Sequence, residues 1–509
     1  MGYWHTRMLH VPSTLPNSRA NGASALLLTL TIPLILTCLL ANTGADADLW
    51  GHLTFGRDIV RSHAVHATDP YSFTSDRPWV NHEWLAESIM WISYAVGGGA
   101  GLIALKLSLA WAAGALMVAE WRRYQLAPIQ RDSMLFATAL GVWPSLVSAR
   151  PQMFSLLFFA ALLSVLTRVR DGHVKLLVLL PLIFAFWVNA HGGWLVGAGV
   201  LGVFTACAMF DAALPIHHRR LLVAASMASA LATLCNPYGW RMLGFLLETV
   251  RPNRTDILEW QPLTKLPLIV VALWLVPTAI AIASAWRGRR RIPISSLAIV
   301  AVLAIASFRV VRIVSFYAVA VGFLVAPYVW SNLTVIQAQP RRTLREWQFA
   351  VLACLSIIAV SVGAFGRRIV MDGSWLPEPE AAAYVSSHRL RGNMFTWFDY
   401  GEYAIWHFWP AIRVSIDGRR ETAFSEELRA AHFRIYADAP GAIEELRRLN
   451  PDYVWLPVNL PVVPRLEAAG WLTLFRGSRS IILAPAGAVV AAERVASIVS
   501  REPRAFPGP

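Results

Sequence analysis

The chain has 509 residues, of which 56% are hydrophobic and 15% charged, with a mean hydropathy of +0.49. A soluble chain carries roughly a quarter charged residues, so a single water-facing globule is excluded and lipid must cover much of this surface. The formal charge of +14 does not point to nucleic acid, because Arg and Lys fall in short clusters between apolar runs, as the positive-inside rule requires.

An N-terminal tail (1–23) precedes an apolar run at 24–41 that carries no small-residue cleavage site and reads as a retained first helix leading outward. A long outer loop, 42–97, has no basic cluster, and its aromatic, Pro-rich part is expected to lie on the bilayer surface as short amphipathic helices. Helix two (about 100–120) ends at Arg122 and Arg123, and helices three and four flank Ala149-Arg150-Pro151-Gln152 before Arg168, Arg170 and Lys175. Helices five and six flank Asn189-Ala190-His191-Gly192-Gly193 and return to His217-His218-Arg219-Arg220. Helix seven ends at Asn236-Pro237-Tyr238-Gly239, and an amphipathic outer segment containing Asp256–Gln261 leads to helix eight (about 266–286) and the cluster Arg287-Gly288-Arg289-Arg290-Arg291. Helices nine and ten flank Phe308-Arg309-Val310-Val311-Arg312 and return to Arg341, Arg342 and Arg345. Helix eleven (about 347–365) leads out.

Every second connection is basic and the alternate ones are not. The expected fold is therefore an α-helical polytopic membrane protein of a bacterial inner membrane, with about eleven transmembrane helices across 24–366, N-terminus inside and C-terminus outside. From 367 to 509 the pattern changes to short β-like runs (Arg413–Ile416, Tyr453–Leu456, Ser480–Leu483) and helical ones (Ser425–Tyr436, Ala442–Leu449), which predicts a small periplasmic α/β domain. Cys38, Cys207, Cys235 and Cys354 lie in or beside apolar runs without CxxC spacing and read as small core residues.

The unusual polar residues gather at the outward ends. Asp46-Ala47-Asp48-Leu49-Trp50-Gly51-His52 puts two carboxylates just past a helix, where they can take a proton from a nucleophile or hold a divalent cation such as Mg or Mn. His82 and Glu83 follow in the same loop. Arg150, His191, Arg309 and Arg312 form a second group at the level of phosphate headgroups, and Arg suits phosphate through its planar fork. Arg309 and Arg312 are three apart, so one helix face would present both. The bland alternatives are solvated loop charges, interfacial snorkelling and a packing histidine. A third group, Trp397-Phe398-Asp399-Tyr400-Gly401-Glu402, opens the last domain as either a shallow recognition pocket or a turn beside an aromatic core.

In these motifs the chain resembles the GT-C superfamily of membrane glycosyltransferases, which take sugars from polyprenyl-phosphate carriers outside the cytoplasm. Its layout is similar to that of the oligosaccharyltransferase catalytic subunit, whose first outer loop carries an Asp, an aromatic and often a His, here Asp48, Trp50 and His52. That family's Trp-Trp-Asp-Tyr-Gly motif after the last membrane helix is matched at four of five positions by Trp397-Phe398-Asp399-Tyr400-Gly401. The family's later outer-loop Glu motif has no evident counterpart. The resemblance implies a transferase using a polyprenyl-phosphate-linked sugar, with Asp48 and Asp46 catalytic, the Arg and His group on the donor phosphate, and His52, His82, Glu83, Trp397, Asp399 and Tyr400 toward an acceptor. Two other classes compete. A lipid or polysaccharide transporter would place charges at mid-membrane, where only Lys106 is found. A non-catalytic assembly or sensor protein would tolerate loss of the loop carboxylates.

Overall fold

The computed structural model describes residues 33–124, 126–212, 214–249, 257–288, 291–330, 344–366, 368–371, 375–487 and 504–508. The start of the expected first helix, Asp256, Arg341 and Arg342 lie outside the described residues.

Helix α1 (33–41) leads into the short strand β1 (Gly44–Ala45) and α2 (Leu49–Ser62). Then come α3 (Trp84–Trp121), α4 (Pro128–Val142), α5 (Gln152–Arg170), α6 (Leu179–Trp187), α7 (Trp194–Phe210), α8 (Ile216–Ala232) and α9 (Arg241–Thr249). The helical body closes with α10 (Leu268–Gly288), α11 (Ile294–Arg309), α12 (Val314–Leu324) and α13 (Leu344–Phe365). Among the described residues, α3, α5 and α10 are long and apolar enough to cross a membrane, and five shorter apolar segments accompany them.

The 42–97 stretch differs from the expected loop. It holds the fourteen-residue α2, and α3 already begins at Trp84. The chain bends within α3 at Gly98, whose φ of 56° and ψ of −143° leave the helical region. That conformation is open to glycine and strained for any residue with a Cβ. The bend separates residues 84–97 from the span expected at about 100–120.

The last domain comprises β2 (Val370–Met371), α14 (Pro379–Ser387), β3 (Gly392–Thr396), α15 (Gly401–Phe408), β4 (Ile412–Val414), α16 (Glu426–Tyr436), α17 (Ala442–Leu449), β5 (Tyr453–Pro457), α18 (Val462–Ala468), β6 (Leu472–Arg476), β7 (Ser480–Ala484) and β8 (Arg504–Ala505). Five strands form a mixed sheet in the order β4-β3-β5-β7-β6. β3 runs parallel to β4 and β5, while β7 is antiparallel to β5 and β6. Phe395, Tyr436, Leu446, Val454 and Ile481 close a separate core on this sheet.

The two parts are stitched together. β1 pairs in parallel with β2, which pairs with β8, so the first outer segment and the far C-terminus share one small sheet. α15 packs on α2. Arg419, after β4, forms bidentate ion pairs with Asp417 and with Asp69 of the first outer segment, at 2.6–2.9 Å. The rings of Phe55, Tyr71, Trp79 and Phe424 surround its guanidinium at 4.9–5.8 Å. Inside the helical body, Lys106 of α3 is fully buried and donates to Thr43 Oγ1 at 2.6 Å and to the Leu146 carbonyl at 2.9 Å.

Candidate active site

A cavity of about 910 Å³ opens where the outer ends of the helices meet the last domain. Asp48, His52, His82, Glu83, Arg150, His191, Arg312 and Asp399 all line it. Toward the helical body its walls turn apolar, with Leu195, Val196 and Val200 of α7 facing Ile299, Val302 and Leu303 of α11.

Backbone pairing explains how Asp46 and Arg150 meet. Gly44 and Ser148 form a parallel bridge, and Gly44 N–H donates to the Val147 carbonyl at 3.0 Å. Two residues further along each strand stand Asp46 and Arg150, which form an ion pair. Arg150 also reaches Asp48 Oδ2 and Glu259 Oε1, each at 3.4 Å. Asp48 occupies the N-cap of α2, yet its side chain makes no capping bond. Its carboxylate is thus held near a helix N-terminus, whose dipole favours negative charge, and is free to face the cavity, to which it is 32% exposed. Burial raises the Asp48 pKa, with Arg150 opposing and Asp46 adding to the rise.

The turn between α6 and α7 positions His191. Trp84 Nε1 donates to Asn189 Oδ1 at 2.7 Å and Leu85 N–H to the Asn189 carbonyl at 3.1 Å, tying this turn to the start of α3. The Gly193 amide donates to His191 Nδ1 at 3.0 Å, and Ser155 Oγ, itself accepting from Trp187 Nε1, lies 2.7 Å from the same nitrogen. Burial brings the His191 pKa down to about 3, with Glu83 opposing and Arg312 reinforcing it. Its Nε2 stands 3.0 Å from Arg312 Nη2, so the imidazole and the guanidinium sit side by side at the cavity wall.

Not every expected residue joins the site. α11 ends at Arg309, Val310 is extended, and Arg312 sits in a short 3₁₀ turn. The break removes the shared helix face, and Arg309 is exposed and lies outside the cavity lining. Tyr400 is 2% exposed and packs on Trp455, so it belongs to the aromatic core of the last domain. Trp397 stacks on Tyr436 and donates to Asp399 Oδ2 at 3.2 Å, behind the lining formed by Phe398 and Asp399. Arg150, expected on phosphate, is instead engaged by three carboxylates.

The metal expectation at Asp46 and Asp48 does not fit this geometry. The Arg150 guanidinium already stands between the two carboxylates and supplies the positive charge a cation would bring. Among the described residues the grouping with metal-ligand spacing is His52, Glu83 and Glu87, whose ligand atoms lie within 4.8 Å of one another. That group is internally satisfied: His52 Nδ1 pairs with Glu87 Oε1 at 3.0 Å, and Asn81 Nδ2 donates to Glu87 Oε2 at 2.6 Å. Burial would lower the His52 pKa, but the hydrogen bond and charge of Glu87, with Glu83 and Asp48, outweigh it and bring it up to about 9. At neutral pH a proton holds the place.

Three more carboxylates line the cavity: Glu87, which no motif covered, and Glu259 and Glu402, which stood within quoted segments without a role of their own. Glu87 follows Glu83 at i+4, one helical turn on, and that spacing was available as a signal. Glu259, in a 3₁₀ turn after α9, bonds Arg150 and faces Arg312 at 3.6 Å. Glu402 stands one residue after the Asp-Tyr-Gly turn, and Gly51 N–H donates to its Oε2 at 3.0 Å.

No protein-family model matches the chain, and no curated protein matches it. Its fold is similar to that of two solved ArnT structures. The crystal structure of ArnT from Cupriavidus metallidurans in the apo state is similar at 12% identity and a TM-score of 0.51, over 92% of this chain and 98% of that one. The same enzyme bound to undecaprenyl phosphate gives 14% identity and 0.52, over 94% and 100%. The mycobacterial arabinofuranosyltransferase AftD gives 14% identity and 0.48, and this chain spans only 42% of its length.

Proposed function

We propose that this chain is a membrane glycosyltransferase that moves a sugar from a polyprenyl-phosphate-type donor to an acceptor on the periplasmic side of a bacterial inner membrane. One observation carries the reading: a cavity-facing carboxylate, Asp48, and the Arg312 guanidinium beside His191 line one cavity whose wall continues as an apolar groove between α7 and α11. The groove suits an isoprenoid tail, and the Arg312 guanidinium, beside His191, suits its phosphate. The likeness in fold to ArnT, solved with undecaprenyl phosphate, agrees with such a donor.

In the proposed step the acceptor's nucleophilic atom bonds to the anomeric carbon as the bond from that carbon to the phosphate oxygen breaks. The electron pair goes to the phosphate, where Arg312, beside His191, stabilises it, and the acceptor's proton goes to Asp48. Arg150 holds Asp46, Asp48 and Glu259 in place. His82 and Glu83 line the acceptor side, with Phe398 and Asp399 opposite. No step is routed through a metal. The transporter reading loses its one candidate mid-membrane charge, because Lys106 is bound to Thr43 and Leu146.

The test uses undecaprenyl phosphate as probe on the full chain in nanodiscs. Arg312→Ala should weaken its binding by about 1–3 kcal/mol, while Arg309→Ala binds as the unchanged protein does. Equal binding by the Arg312 variant would overturn the donor site. Comparing envelope glycans and glycolipids of a deletion strain by mass spectrometry would then name the acceptor.

A further inference from the structure

Glu402 has no part in the transfer just described, yet the fold builds a seat for its carboxyl. The residue is 4% exposed. A Cβ at Gly51 would collide with the Glu402 carboxyl, and one at Gly418 would strike both Glu402 and Asp48. Glycine is thus required on each side, one from α2 and one from the loop after β4, and the two carboxyls converge on a single point. Glu402 Oε2 takes the Gly51 amide, which leaves Oε1 on the side of Asp48.

The charges around this point leave no cation for Glu402. Among the described residues it faces the charges of Asp48, Asp417 and Glu87, and the guanidinium near it, Arg419, is held by both oxygens of Asp417 and of Asp69. Asp48 feels the positive charges of Arg150 and His52 and the negative charges of Asp46 and Glu259. Two carboxyls converging on one point, Glu402 buried and Asp48 at the cavity wall, are more stable with one proton than with none.

We propose that Asp48 and Glu402 share one proton, which Glu402 carries and donates to Asp48, fixing the oxygen that Asp48 turns toward the acceptor. This rests on the reading of Asp48 as base. Glu402 is then a positioning residue, acting through Asp48 rather than on substrate. Burial and the charges of Asp48 and Asp417 hold its pKa well above the usual carboxylate range, in agreement with the geometry.

Infrared difference spectroscopy of the full chain in nanodiscs tests it. At neutral pH the spectrum should contain the carbonyl stretch of a protonated carboxyl. That band should shift in protein labelled with ¹³C-glutamate and vanish in Glu402→Gln. In Asp48→Asn, where the neighbouring charge is gone, it should titrate at a pH lower by about 1 unit or more. Absence of the band at neutral pH, insensitivity to the glutamate label, or an unchanged midpoint in Asp48→Asn would each overturn the proposal. The label and the Asp48 variant keep the test decisive if Glu402→Gln fails to fold. Undecaprenyl phosphate binding by Arg312→Ala separates the two readings: retained binding sinks the donor site whatever the band does, and a failed band with lost binding sinks only the shared proton.

Discussion

Two arginines bridge carboxylates across this molecule, and they do so under opposite conditions. Arg419 is 4% exposed, with Asp69 and Asp417 at 0%, and aromatic rings close around it. Arg150 is 22% exposed, and its partners Asp46, Asp48 and Glu259 are 18%, 32% and 40% exposed. A buried ion group with every lone pair satisfied has one stable arrangement and no room for a reactant, so Arg419 can only rivet the first outer segment to the last domain. A half-open group can exchange partners with an incoming molecule. The same side-chain chemistry therefore makes a fastener in one place and a working surface in the other, and access decides which.

The sharpest way to break this contrast is at Asp48. Asp48→Asn keeps the shape but removes the charge, and turnover should fall roughly 10²–10⁴-fold with the melting temperature little changed. Near-normal transfer in that variant, once an acceptor is in hand, would remove the chemical role of the open group. At the closed group the outcome should be reversed. Arg419→Gln leaves two buried carboxylates without their cation, so stability should drop by about 3–5 kcal/mol, read by thermal unfolding in nanodiscs. A stable Arg419→Gln protein would mean the rivet is dispensable.

A smaller, pH-dependent effect separates the two groups further. The folded-state pKa of His52 is raised, so its bond to Glu87 stabilises fully below about 6.5 and the gain is lost as pH rises through about 9. His52→Asn should therefore lower the melting temperature clearly at pH 6 and very little at pH 10. The smallest effect is expected at the apolar wall, where Val302 is 48% exposed. Val302→Ala should change stability by less than about 0.5 kcal/mol.

What could be read from residues alone followed the range of the forces involved. Hydropathy and flanking charge act locally, and so the basic ends after Trp121, Arg170 and Arg287 bracket helices close to where the chain folds them. The Asp48 loop and the His191 turn were legible because a polar cluster at a helix end is itself a local anomaly. Arg309 failed because three-residue spacing assumes an unbroken helix, and Val310 breaks it. Glu402 could not be placed because its partner Gly51 lies 351 residues away, and no local pattern announces a contact of that separation. Arg150 was visible as a cation, but only the tertiary arrangement showed that three acids compete for it.

The bend at Gly98 has a mechanical consequence. Its two arms answer to different surroundings: residues 99–121 must match the thickness of the bilayer, while the arm from Trp84 stands beside Glu83 and carries Glu87. A stiff rod would convert each change of tilt in the first arm into a displacement of the second, magnified along its length. With a pivot that favours glycine, a thinner or thicker membrane would swing residues 99–121 and leave the arm from Trp84, which packs through Trp91 on Trp406 of the last domain, in place.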